Sequence, residues 1–205
     1  MQTTPRSCSW LRPVLTLVLV AYGLGHALDA AQATALAQHL VAKTGVAKGV
    51  ASVPRCGDGH LAVALAQQSQ LLVHATDADS ANVASSRSLA TAAAVLGRRV
   101  YVETASPSPN LLADNHADLV VMYDLTDGDL ASLSPTELLR VVTPVNGHVI
   151  VGAHGGIGLT QSALQTWADG FGVPVTVETD AQGLWAHVRK PALAGADDWP
   201  HRFHG

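Results

Sequence analysis

Short apolar runs alternate with longer Ala- and Leu-rich stretches through most of this chain. Val50–Val53, Leu71–Ala75, Arg99–Glu103, Ala117–Tyr123 and His148–Val151 are too short for independent helices and read as strands. The fourth, ADLVVMY, is nearly all apolar, as expected when helices cover both faces of a sheet. Between them lie Ala30–Lys43, His60–Gln67, Ser80–Leu96 and Ser134–Val142, with Leu159–Gly170 following the fifth run. These carry helix punctuation: Thr44-Gly45 and Gly97 as stops, and Ser134-Pro135-Thr136-Glu137 as a start with Ser at N-cap, Pro at N1 and Glu at N3. Two last strands, Val173–Glu178 and Leu184–Arg189, are joined by Thr179–Gly183. That connection permits an antiparallel hairpin and is too short for a parallel crossover. The pattern predicts an α/β, Rossmann-like doubly wound fold, with a mostly parallel seven-stranded sheet and a C-terminal antiparallel hairpin strand. The first helix is expected as a lid on the sheet edge.

The stretch Gly49–Asp79 holds the candidate chemistry. Cys56-Gly57-Asp58-Gly59 separates a strand from a helix, and Asp77 stands past the next strand, 20 residues after Gly57. Glycines there let backbone approach a ligand and open a helix whose first N–H groups are unpaired. An acid at this distance is placed to accept from a ribose diol across the carboxyl end of the sheet. The candidate cofactor-binding residues are Cys56, Gly57, Asp58, Gly59, Asp77 and Ala78. Asp124, past the fourth strand, is the candidate for a base or substrate contact, its alternative being a turn or helix cap.

Composition narrows the partners. A hydrophobic fraction of 48% with 14% charge supports a sizeable core. Net charge is −4, Lys43, Lys48 and Lys190 are the only lysines, and no basic stripe is visible, so no nucleic acid is expected. Arg6 and Arg12, the apolar Val14–Leu24 and small residues at Gly25-His26-Ala27 and Ala31-Gln32-Ala33 have the layout of a cleaved signal peptide. The alternative is an uncleaved membrane anchor. The expected division is residues 1–30 as signal, 31–190 as the domain and 191–205 as linker or tail. The product is expected to be periplasmic or secreted, without membrane attachment after cleavage. Cys56 would then be a lone thiol in an oxidising compartment. It resembles a nucleophile at a helix N-terminus, but no His/Asp set beside it identifies a thiol enzyme, and packing or cofactor contact is the expectation.

The segments CGDGHLAVALA, HATDAD, ADLVVMYDL and ELLRVVTPVNGHVIVG resemble the class I S-adenosylmethionine-dependent methyltransferases over about residues 45–190. Glu137, Arg140, Val141, Pro144 and Gly147 follow that family's E-x-x-R-V-L-x-P-x-G signature, with one extra residue between the Pro and the Gly. The resemblance implies S-adenosylmethionine as cofactor. The glycine turn would cup its methionine end, Asp77 would hold the ribose, and the adenine contact would lie near Ser106. The chain departs from the family at Val53 and Arg55, where an acid and a first glycine usually stand. More narrowly, it is similar to exported bacterial proteins in which such a domain precedes a quinoprotein-like β-propeller. Asp197, Trp199, His201 and His204 match the bridging segment there and imply a propeller domain or protein as partner. The expected function is methyl transfer to an unknown acceptor, and the alternative is a non-catalytic nucleoside-binding or docking module without cofactor affinity.

Two further patterns compete. Val151–Gly158 resembles the glycine turn of NAD(P)-binding short-chain dehydrogenases, with Glu178 and Asp180 near the next strand end. Too little chain follows it for a dinucleotide domain, so a mobile glycine loop bordering the substrate side is expected. His201-x-x-His204 has no third ligand at a recognisable spacing, and no metal site is expected.

Overall fold

The structure, a computed structural model, describes residues 28–195; the signal-like segment 1–27 and the segment holding Asp197, Trp199, His201 and His204 lie outside the described residues. The first helix, α1 (Ala30–Thr44), starts at Asp29, whose carboxylate accepts from the Gln32 amide while the Gln32 side chain accepts from the Asp29 amide. It stops at Gly45, which takes the left-handed conformation at φ 73°. Then come β1 (Lys48–Pro54), α2 (His60–Gln68), β2 (Gln70–Asp77), α3 (Ser80–Ala92), β3 (Val100–Thr104) and β4 (Leu119–Met122). The second half holds α4 (Asp127–Leu130), α5 (Pro135–Val141), β5 (His148–His154), α6 (Gln161–Ala168), β6 (Val175–Thr179) and β7 (Gly183–Arg189).

The sheet order is β3-β2-β1-β4-β5-β7-β6. β1 pairs in parallel with both β2 and β4, so the winding direction reverses between β1 and β4. β7 runs antiparallel between β5 and β6, as the hairpin reading expects. One core joins α1, α2 and α3 to Ala51, Val53, Leu119, Val121, Ile150 and Trp185. The other joins α5 and α6 to Val120, Met122, Val149 and Val151. α1 therefore packs on a sheet face beside α2, where its Leu36 and Leu40 are buried, and is not an edge lid.

The second face is covered unevenly. No helix links β3 to β4, so Leu72 (38% exposed) and Tyr101 (42%) lie open where a third covering helix would sit. The hairpin is fastened across the first core instead. Lys43 of α1 meets Glu178 at 2.6 Å and Asp180 at 2.9 Å, and His39 meets Asp180 at 2.8 Å. Asp180 also accepts from Trp185 Nε1 and the amides of Gln182 and Gly183. Burial opposes its ionisation, but Lys43 and these donors hold its carboxyl far below the carboxylate range. Both acids of the dehydrogenase-like pattern thus serve structure, and β7 lies between β5 and β6, so that glycine loop leads to no adjacent parallel strand.

His148 Nδ1 and His187 Nε2 are 2.9 Å apart on β5 and β7, with rings stacked at 5.1 Å. Burial, then the neighbouring imidazole and Lys43, lower His187 from its ordinary 6.5 to about 4. Burial and Arg189 lower His148 as well. Both rings are held neutral while the unfolded chain accepts protons, so the stability they protect is complete above pH 6.5 and is lost as pH falls toward 4. Urea unfolding from pH 7 to 4 should show the midpoint dropping across that window. His187→Gln should flatten this part of the profile, whereas identical profiles would show that the pair does not titrate with folding.

Candidate functional site

Open α/β sheets bind ligands outside the carboxyl ends of their strands where the winding reverses. Here that place lies over the ends of β1 and β4. β1 runs into Arg55-Cys56-Gly57-Asp58-Gly59, a turn with left-handed φ at Arg55 (57°), Gly57 (57°) and Gly59 (92°). It is wedged on every side. The Cys56 amide donates to the Thr76 carbonyl, Tyr123 Oη to the Cys56 carbonyl and Ser86 Oγ to the Gly57 carbonyl. A Cβ on Gly59 would stand 2.7 Å from Ser86 Cα, and one on Gly57 3.2 Å from Tyr123 Oη. The glycines therefore do two jobs: they allow the backbone conformation and they let α3 close on the turn.

Asp77 ends β2 with 7% of its surface exposed. Its Oδ2 accepts from the Gly57 amide at 3.0 Å, and its Oδ1 from the Asp79 amide at 2.9 Å. The predicted acid and the predicted turn are thus in contact, and each carboxylate oxygen keeps lone-pair capacity for a hydroxyl. Asp58 is half-buried and accepts from the His60 amide across Gly59, the cap residue of α2. Ala78 is exposed beside Asp77.

Cys56 is fully buried, with Sγ 3.5 Å from Ser86 Oγ. Burial pushes its thiol up to about 11, so it is no thiolate nucleophile, and its side chain packs inward. Val53 is also buried in the first core and offers nothing to a ligand. Ser106 is exposed, and its hydroxyl donates to the Ser108 carbonyl. The polar residue of that loop turned inward is Asn110, whose Nδ2 donates to Ser52 Oγ.

Asp124 follows β4 and does not cap a helix. Its Oδ1 is buried with no hydrogen-bond partner, and its Oδ2 lies 3.7 Å from the Arg55 guanidinium. Burial raises its carboxyl above the usual range, and Arg55 only partly counters this. Arg55 also meets Asp129 at 2.6 Å. Burial alone would raise Asp129, but the Thr126 hydroxyl and amide, together with Arg55, hold it below its ordinary value. Sequence reasoning missed Asp129 as a partner, although Thr126-x-x-Asp129 carries the spacing of a capping box.

The Glu137–Arg140 signature has a visible task. Arg140 forms a two-point pair with Glu137, meets Asp114, and donates to the carbonyls of Asn110 and Leu112, while Glu137 accepts from the Asn110 amide. It clamps the β3–β4 loop onto α5 and so sets the wall beside β1.

No family model and no curated protein matches the sequence. Solved structures do resemble it. A candidate S-adenosyl-L-methionine-dependent methyltransferase from Methanococcus maripaludis superposes with a TM-score of 0.69 at 19% identity, over 80% of this chain and 87% of that one. A SAM-dependent methyltransferase from Aquifex aeolicus gives 0.59 at 15% identity, over 78% and 99%. An RNA methyltransferase from Salinibacter ruber, solved with S-adenosyl-L-homocysteine, gives 0.56 at 17% identity, over 80% and 95%. The chain has a methyltransferase-like, Rossmann-like fold.

Substituting the turn glycines should separate their two jobs. Gly59→Ala meets both backbone strain and α3 and should destabilise by about 2–5 kcal/mol. Gly57→Ala, with only a hydroxyl to displace, should cost about 1–2 kcal/mol. Chemical denaturation of both variants measures this, and equal losses would refute the assignment of Gly59 to α3 packing.

Proposed function

We propose that this domain binds S-adenosylmethionine, or its demethylated product, over the β1–β4 switch point and serves methyl transfer to an acceptor. The reading is carried by the Asp77 carboxylate, held at the end of β2 against the amide of the glycine turn. The residues fit the nucleoside part of such a ligand: Asp77 can accept from the ribose hydroxyls, Gly57 leaves backbone near it, and α2 presents its N-terminus across the turn. When bound, the cofactor would supply a methyl group on a sulfonium leaving group. The protein's task would be to hold and orient the reactants. Asp124, with an unpartnered buried oxygen, would be the polar group closest to hand for the acceptor. The fold shared with methyltransferase structures supports this reading, as does the signature that clamps the neighbouring loop.

A second reading, a docking or nucleoside-binding module without methyl transfer, is favoured by Arg55 and Val53, which stand where an acid and a glycine would serve the methionine end. Under either reading, the N-terminal segment supports export, and the match of Asp197, Trp199, His201 and His204 to a bridging segment supports a β-propeller domain or protein as partner.

Calorimetry with S-adenosylmethionine, S-adenosylhomocysteine, adenosine and NAD⁺ separates these readings. Adenosyl ligands should bind and NAD⁺ should not. Asp77→Ala should weaken adenosyl binding by one to two decades, about the scale of one or two lost hydrogen bonds. Absence of heat with every adenosyl ligand at millimolar concentration would overturn the nucleoside site.

A further inference from the structure

Arg55 follows directly on the end of β1, at the switch point. It is a bulky residue in the left-handed region at φ 57°, a conformation that costs a non-glycine residue about 1–2 kcal/mol. Strain of this kind survives only where surrounding contacts hold it, and it concentrates at functional sites. The contacts here are specific. The guanidinium leaves the end of β1, passes over the switch point and meets carboxylates from the other half of the sheet: Asp129 on α4 at 2.6 Å and Asp124 after β4 at 3.7 Å. Its side chain is 28% exposed, so the pairing is only partly shielded from water.

The two pairings are unequal. Asp129 is well served, since Thr126 donates twice to its other oxygen. Asp124 is poorly served, with one oxygen at ion-pair distance only and the other buried without a partner. Arg55 therefore bridges a satisfied acid and an unsatisfied one. A ligand bringing its own ammonium could satisfy Asp124 better, but only after the guanidinium moves. A nucleoside without a charged tail, held at Asp77 and Gly57, would leave the bridge alone.

We propose that Arg55 is the specificity-determining residue of this crevice. Its guanidinium bridge engages Asp124, the carboxylate that would take the ammonium of an adenosyl ligand's amino-acid tail, so the closed site admits tail-free nucleosides and discriminates against tailed ones. This rests on the nucleoside reading of the crevice. Arg55 acts by exclusion and takes no part in bond making.

The test is a ratio. Affinities for S-adenosylhomocysteine (tailed) and adenosine (tail-free) are measured by calorimetry in the wild-type chain, in Arg55→Gly and in Arg55→Met. Thermal melting confirms that each variant is folded. Arg55→Gly suits the left-handed backbone, and Arg55→Met keeps side-chain bulk while removing the charge. The proposal expects S-adenosylhomocysteine to tighten about tenfold in both variants, the scale of one charge-assisted hydrogen bond, while adenosine changes less than about threefold. Raising salt should tighten the tailed ligand in the wild type and not in the variants. Equal changes for both ligands, or no change for either, would overturn the exclusion role while leaving the nucleoside site standing. Failure of adenosine to bind any of the three proteins would overturn the nucleoside reading and this proposal together.

Discussion

A turn with no room for a Cβ at Gly59 sits at the centre of this fold. Residues 55–59 are enclosed by β2, α3 and the end of β4, and each neighbour takes a backbone group of the turn as its partner. Gly59 must lack a Cβ because Ser86 lies against it. Once the turn is held, Asp77 becomes its buried acceptor and Tyr123 the donor to its Cys56 carbonyl. Burial and then the surrounding acids keep the Tyr123 phenol protonated, so it remains a donor.

The second half of the molecule solves a different problem. The β3–β4 connection has no helix of its own, and a loop near a sheet carries backbone groups that must be satisfied. Glu137 and Arg140 do this from α5, using one carboxylate and one guanidinium to hold Asn110, Leu112 and Asp114. The clamp reaches the upper part of β1, where Asn110 covers Ser52, and no further. The lower part of β2 and β3 stays bare, which accounts for Leu72 and Tyr101.

These two features mark how far the sequence could be read. The seven strands, the hairpin and the contact between turn and acid follow from local periods and spacings, because each depends on residues close in the chain. What the sequence leaves open involves partners far apart in the chain. α1 could not be placed on a face without knowing that Ile150 and Trp185 lie beneath it. The resemblance puts an adenine contact near Ser106, which is exposed, while Asn110 of the same loop turns inward to Ser52 and takes the Glu137 carboxylate on its amide, partners that no local spacing marks. The structural task of Asp180 is equally invisible locally, since its partner Lys43 lies 137 residues away. Arg55 is a departure from a motif in the sequence, and its pairing with Asp124 and Asp129, about 70 residues away, belongs to the fold.

The charge arrangement at the switch point explains how one crevice accommodates both functional readings. Asp77, Asp124 and Asp129 converge there, and the Arg55 guanidinium lies among them. An empty crevice of this kind would leave acids partly buried and unpaired, which is costly. Arg55 offsets that cost in the ligand-free protein. The same contact makes the ligand-free state a competitor of the bound one, since a ligand can shift the balance only by its better interaction with the open form. A protein that needs the cofactor would gain from a weak bridge, and a protein that only docks would gain from a strong one. The long Asp124 contact and the short Asp129 contact put this chain between those limits. Asp124, raised by burial and only partly countered by Arg55 at 3.7 Å, is the weaker end of the bridge.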